Sequence, residues 1–248
     1  MPTRRHLLQQ AALAASLPAG ELFGADSAAP SHKLRVVVTG GHPGDPEYGC
    51  GGTIARYTEL GHEVVLLYLN RGEGGIAGQA PQDAGAIRSA EAVQACKILG
   101  ARPVFAGQID GQAVVDPSHY SAFHELLAGL QPDVVFTHWP IDGHADHRAM
   151  ASLVYEAWQR MKRSFALYYY EVTTGDDTLQ FAPTQYVDVS AQTERKRKAC
   201  FAHASQSPEH FYAVQEQIAK FRGVESGHRQ AEAYIRHVQS PDFGLPRL

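Results

Sequence analysis

The feature that most constrains this chain is a series of short β-branched runs, each followed by a helical stretch. Leu34–Thr39 (LRVVVT) is apolar and ends at Gly40-Gly41, the pattern of a strand buried on both faces. Helical character follows over Gly51–Leu60, with Gly61 at the C-cap position. Glu63–Asn70 reads as a second strand that leads into the glycine-rich loop Arg71–Gly78. The series continues with a helix over Asp83–Leu99, a strand over Pro103–Gly107 and a helix over Ser118–Leu130. Strand Asp133–Thr137 and helix Asp146–Arg163 come next. Ala166–Val172 and Gln185–Val189 read as two more strands, and Thr193–Ser205 as a helix with a basic, exposed face. This order predicts an α/β chain with an open, mostly parallel sheet and helices on both faces. No repeat, low-complexity tract or linker interrupts it, so residues 30–248 read as one domain.

Composition narrows the function classes. With 22 Lys+Arg against 26 Asp+Glu, the net charge of −4 argues against a nucleic-acid partner, which calls for a basic surface. Cys50, Cys96 and Cys200 have no C-x-x-C spacing, so neither a disulfide framework nor a zinc ribbon is expected. Residues 1–29 have the layout of a secretory signal of the twin-arginine type: Arg4-Arg5, an apolar stretch over Ala11–Leu17, then small residues around Ala25–Ala29. Export to the periplasm or another extracytoplasmic space is therefore expected. The apolar stretch is too short for a transmembrane helix, which needs about 20 residues, and no later segment reaches that length.

Topology predicts where chemistry should sit. In a doubly wound sheet the first and fourth strands lie side by side, and the loops leaving their C-terminal ends open onto the ligand crevice. The first of these loops is Gly41–Glu47 and the other is His138–Arg148. Both are dense in imidazole and carboxylate, and of the 13 His, three (His138, His144 and His147) fall in the second loop. His42 and Asp45 lie three residues apart across a Pro-Gly turn, and His147 arrives from the other strand. Two His and one carboxylate form a ligand set used by hydrolytic zinc sites. Zn²⁺ is the expected ion, with another divalent metal as the alternative. Asp146 can orient an imidazole, and His144 is placed to hydrogen-bond or protonate a reacting group. Gly49–Gly52 lacks the G-x-G-x-x-G spacing of a dinucleotide site.

The residues also carry a family resemblance. His42-Pro43-Gly44-Asp45 followed by Gly49-Cys50-Gly51-Gly52-Thr53 resembles the H-P-D-D…G-C-G-G-T signature of PIG-L/LmbE-like N-acetylglucosaminyl deacetylases. His144-Ala145-Asp146-His147-Arg148 resembles their H-x-D-H-R motif. Asn70-Arg71-Gly72-Glu73, Arg88-x-x-Glu91, Asp110-Gly111 and Lys198-x-x-x-x-His203-x-Ser205-Gln206 extend the resemblance in order over residues 33–238. It implies a Rossmann-like fold and a zinc-dependent hydrolase that removes acetyl groups from N-acetylglucosamine derivatives. Carried over by position, His42, Asp45 and His147 would be the metal ligands, and His144 would stabilise the oxyanion. Arg88 and Arg71 would be substrate contacts. The partner implied is a small amino sugar or glycoconjugate.

At one position the chain departs from the family. The first Asp of H-P-D-D is the family's general base, and Gly44 stands in its place. A general base contributes about 10²–10⁴-fold. Glu47 could reach back to take the proton, or Asp142 or Asp146 could do so from the opposite loop. The remaining reading is a protein that binds metal and sugar with little or no turnover.

Overall fold

The computed structural model describes residues 33–243 and 245–246. The signal-peptide reading falls on residues 1–29 and lies outside the described residues. From Lys33 onward the chain forms one compact unit. Its seven strands are β1 (Arg35–Gly40), β2 (Glu63–Tyr68), β3 (Arg102–Phe105), β4 (Val134–His138), β5 (Ala166–Tyr170), β6 (Gln185–Asp188) and β7 (Ala231–Arg236). The helices are α1 (Asp45–Glu59), α2 (Pro81–Leu99), α3 (Pro117–Leu130), α4 (Ala145–Arg160), α5 (Thr193–Phe201) and α6 (Pro208–Ser226).

The strand order is β3-β2-β1-β4-β5-β7-β6. Pairing among β1 to β5 is parallel throughout, and β1 and β4 are neighbours, with Val36 opposite Val134 and Val38 opposite Phe136. The order reverses between them, which opens the crevice that topology predicts. Alternate side chains feed two cores. Val36 and Val38 of β1 pack under α1, α2 and α5, whereas Val37 packs with Phe123 of α3 and Leu153 of α4. This is the α/β, mostly parallel sheet with helices on both faces that the sequence pattern predicts.

Differences concentrate in the last third. Nothing in the pattern marked α6 or β7, and β7 pairs antiparallel with both β5 and β6. With β7 beside it, β5 is an interior strand. Tyr168, Tyr169 and Tyr170 are therefore all buried. On α5, the stretch Arg195–Lys198 is not uniformly solvated: Lys196 is buried and its Nζ lies 2.7 Å from Glu232 Oε1. All three cysteines are free and buried.

Helix α1 begins at Asp45, well ahead of the expected Gly51. Its run of glycines has poor helix propensity, yet tertiary packing overrides that cost. A Cβ on Gly52 would stand 2.5 Å from the side chain of Val189, so only glycine lets this helix lie so close to the strand end. The early start places Asp45 in the first turn of α1, directly over the C-terminal end of β1.

Candidate metal centre and pocket

The loops after β1 and β4 meet in a cavity of about 420 Å³, within the size range of small-molecule sites. His42, Asp45, His144 and His147 all line it. Asp45 Oδ2 lies 3.4 Å from His42 Nδ1 and 3.2 Å from His147 Nε2. The far nitrogen of each ring is occupied by a carboxylate. His42 Nε2 lies 3.1 Å from Asp110 and 3.2 Å from Asp146, and His147 Nδ1 lies 3.1 Å from Asp142. In neutral rings those far nitrogens hold the protons, so the nitrogens facing Asp45 present lone pairs toward a carboxylate. Such an arrangement is repulsive unless a proton or a cation sits between, and the donor set fits a divalent metal.

His138, which had no assigned role, joins the same cluster. It is fully buried, stacks on His147 at 4.0 Å with the rings nearly parallel, and places Nε2 3.2 Å from Asp45 Oδ2. Gly41 N–H donates to that same Nε2 at 3.0 Å. Among the described residues four potential ligand groups overlap here: Asp45, His138 and His147; His42, His144 and His147; His42, Asp110 and Asp146; and Asp142, His147 and Asp177; the expected His42, Asp45 and His147 are divided between the first two.

Protonation follows from these contacts. Burial disfavours a charged His147, but Asp45 and Asp142 outweigh it and raise the ring to about 9 in the absence of metal. Burial likewise opposes charge on His42, while Asp110, Asp146 and Asp45 hold it well above the usual imidazole range. Burial would raise Asp45, yet the surrounding imidazoles keep it well below the ordinary carboxylate range. His138 has fewer compensating partners, and burial together with His147 lowers it to about 4. His144 is lowered by burial and by its neighbours His42 and His147. Its Nδ1 accepts the Asp146 backbone N–H at 3.2 Å, capping α4 and leaving Nε2 to carry the proton of the neutral ring.

Other sequence candidates fall on either side of the pocket wall. Arg88 is brought in: it is buried, lines the cavity and donates from Nη2 to Pro43 O at 2.8 Å. Arg71 is not, being exposed with its guanidinium over the ring of Phe105. Asp146 is fully buried behind the lining, where Oδ2 accepts from Asn70 Nδ2 and Gly111 N, both at 2.9 Å. Glu47 is also fully buried. Its Oε1 accepts from Tyr68 Oη at 2.7 Å and lies 3.0 Å from Nε2 of His203, which lines the cavity, so Glu47 stands behind that wall. Asp142 stands behind His147. None of the three carboxylates weighed as a substitute base therefore lines the pocket.

Gly44, where the family has that base, has φ +114°, a conformation that L side chains rarely adopt. Space is not the obstacle, because a Cβ there would meet Tyr48 at 3.5 Å and His203 at 3.9 Å. The lining also includes Asp110, Asp177, Tyr48 and Phe211, to which the sequence pattern assigned no role. Of these, Asp110 alone belongs to a sequence motif, Asp110-Gly111. Asp177 lies in the loop after β5 and Phe211 in the unmarked α6, and neither carried a local signal. Burial raises Asp177, opposed by His147 and reinforced by Asp45 and Asp142.

Comparison with known proteins follows from this geometry. Residues 37–158 match the family model described as PIG-L: GlcNAc-PI de-N-acetylase. A diacetylchitobiose deacetylase from Thermococcus kodakarensis is 30% identical over 224 residues, covering 82% of this chain and 83% of its own length. A 1D-myo-inositol 2-acetamido-2-deoxy-alpha-D-glucopyranoside deacetylase from Mycobacteroides abscessus is 28% identical over 226 residues, covering 69% of this chain and 81% of that protein. Among solved structures, a conserved protein from Thermus thermophilus superposes with a TM-score of 0.71 at 28% identity, over 85% of this chain and 99% of that one. The fold, the two histidine-bearing loops and these relatives agree, and the chain belongs to the PIG-L family.

Proposed function

We propose that this protein is a zinc-dependent N-deacetylase that removes the acetyl group from a small molecule containing N-acetylglucosamine. One observation carries the reading: His42, Asp45 and His147 converge at the pocket floor with their outer ring nitrogens held by carboxylates. These three residues would hold the ion, which when bound supplies a Lewis acid and an activated water. His144 lines the same floor with a protonated Nε2. It can donate to the acetamide oxygen, where negative charge grows as the carbonyl is attacked. Arg88 closes the wall by holding the Pro43 carbonyl. The relatives' action on acetylated amino-sugar glycosides supports the same reaction class. Arg4-Arg5 and the apolar stretch after it support an exported enzyme, testable by locating the full chain in fractionated cells with and without Arg4→Lys/Arg5→Lys.

A second reading, a metal- and sugar-binding protein with little turnover, is favoured by one fact. Gly44 offers no carboxylate, and Glu47, Asp142 and Asp146 each stand behind a lining histidine without lining the cavity themselves. Acetate release from N-acetylglucosamine conjugates, measured with and without chelator, separates the two readings. Release that chelator abolishes and zinc restores is the expected result. Sugar binding without release under any divalent metal would leave the second reading standing.

A further inference from the structure

Resting on the deacetylase reading, we infer that the wall beside Gly44 is a binding site for a small carboxylate, which serves as the base that the chain itself lacks. Two side chains that line the cavity build the site, Arg88 and Tyr48. Arg88 is 6% exposed, and no carboxylate of the described residues forms an ion pair with its guanidinium. One edge of a guanidinium carries Nε and Nη2, which together grip a carboxylate. Arg222 uses that edge in full: Nε and Nη2 lie 2.6 and 2.8 Å from the two oxygens of Glu171. On Arg88 the same edge is half used. Its Nη2 donates to Pro43 O at 2.8 Å, next to Gly44, and its Nε is buried with no hydrogen-bond partner. A buried cation without a paired anion is costly. Burial accordingly lowers Arg88, even though Asp45, Asp110, Glu91 and Glu47 act on it from farther off.

Tyr48 supplies the second donor. It is 8% exposed, and its Oη is likewise buried with no partner. Burial pushes the phenol up, with Arg88 acting against it, so the hydroxyl keeps its proton and can donate it. Its ring would stand 3.5 Å from a Cβ on Gly44, the position at which the family carries its base. A phenol and a guanidinium with unused hydrogen bonds, gathered at a residue that has lost its carboxylate, fit a carboxylate brought from outside. Gly44 lies between His42 and Asp45, so an anion held there stands beside the reacting acetamide. It takes a proton from the attacking water as the water oxygen bonds to the acetamide carbon. It gives that proton to the nitrogen as the C–N bond breaks, and the second water proton leaves with the acetyl product, which ionises to acetate. The carboxylate is thereby regenerated. Two sources carry this group: a free anion such as formate or the product acetate, and a carboxylate on the sugar itself.

Binding and turnover test the site separately. An NMR titration of the metal-free protein with ¹³C-formate, against chloride at equal ionic strength, reads the site with no ion present. Saturable binding is expected, weakened about tenfold by Tyr48→Phe, which removes one hydrogen bond to a charged group. Gly44→Asp, which brings its own carboxylate, should abolish it, and circular dichroism confirms that both variants are folded. Turnover is then read as free amine released by the zinc-loaded protein in carboxylate-free buffer. Formate should raise release from a neutral N-acetylglucosamine conjugate saturably, by at least about tenfold, and leave Gly44→Asp unmoved. N-acetylmuramic acid separates the sources: turnover without formate, with displacement of bound formate, marks the sugar's own carboxylate, and a formate requirement marks the free anion. Formate binding that Tyr48→Phe leaves unchanged would overturn the site. Amine release that neither formate nor the acidic sugar raises would overturn its role as base. No amine release from any sugar, with formate binding intact, would instead strike the proposed deacetylation.

Discussion

The half of the molecule up to α4 and the third beyond β5 are built to different standards. In the first, every ligand candidate is braced: Asp142 holds His147, Asp146 holds His42, and α4 is capped by His144 itself. In the second, the loop after β5 and α6 add Asp177 and Phe211 to the lining, and Phe211 packs edge-on against Tyr48 and His210. The difference teaches how firmly the two parts of the pocket are held. A metal site needs atoms fixed within fractions of an ångström, which strand ends and helix termini provide. The rest of the lining comes from loops and an exposed helix face, which tolerate more variation.

The most severe way to sharpen this contrast is Asp45→Ala. It removes the oxygen around which three imidazoles gather, and acetate release should fall to background while bound zinc disappears from elemental analysis of the purified protein. Gly44→Asp attacks the one flaw in the braced half. Restoring a carboxylate should raise kcat by about 10²–10⁴-fold if the missing base limits turnover. The positive φ should cost about 1–3 kcal/mol of stability, read from denaturant unfolding. Unchanged kcat in a folded, zinc-loaded variant would show that the chain manages without a base at that position.

Arg222→Ala tests the other half. Arg222 Nε and Nη2 lie 2.6 and 2.8 Å from the buried Glu171, tying α6 to the end of β5. Leaving Glu171 buried without its partner should cost about 3 kcal/mol in unfolding free energy. Zinc affinity should be untouched, and a matching loss of zinc affinity would erase the proposed division. Asp142→Asn has a smaller effect with the opposite signature: zinc binding should weaken about 10–100-fold with little change in sugar affinity.

The mildest test is pH. Metal must displace the proton that Asp45 and Asp142 keep on His147 up to about pH 9. Zinc uptake should therefore release protons, and apparent affinity should climb as pH rises from about 6.5 toward 9, measured by titration in buffers of different ionisation enthalpy. The stability of the metal-free protein has the reverse sign. A folded value above the unfolded one gives stability that is complete below about 6.5 and is lost as pH passes 9. The metal-free melting temperature should thus fall over the interval in which zinc binding strengthens.

Much of the frame was legible because periodic signals are local. The β-branched runs at Leu34–Thr39 and Asp133–Thr137 named the neighbouring strands, and chain order alone placed their loops at one crevice. His42, Asp45 and His147 met there because a parallel sheet delivers strand ends to a common edge. Where long-range pairing decided the outcome, the pattern was silent. β7 is a strand because β5 and β6 flank it, and Lys196 is buried because Glu232 of β7 lies opposite.

The sequence by itself determined the α/β order and the meeting of the two histidine-bearing loops at the switch point, since both rest on short-range periodicity and topology. It also exposed the missing carboxylate at Gly44. Tertiary structure alone decided that Glu47 does not line the pocket, because it is buried behind His203 and against Tyr68. It decided as well that Arg71 faces solvent, that His138 joins the imidazole cluster, and that Phe211 and Asp177 line the pocket. Side-chain direction and desolvation depend on what packs opposite, and no local stretch of sequence contains that information.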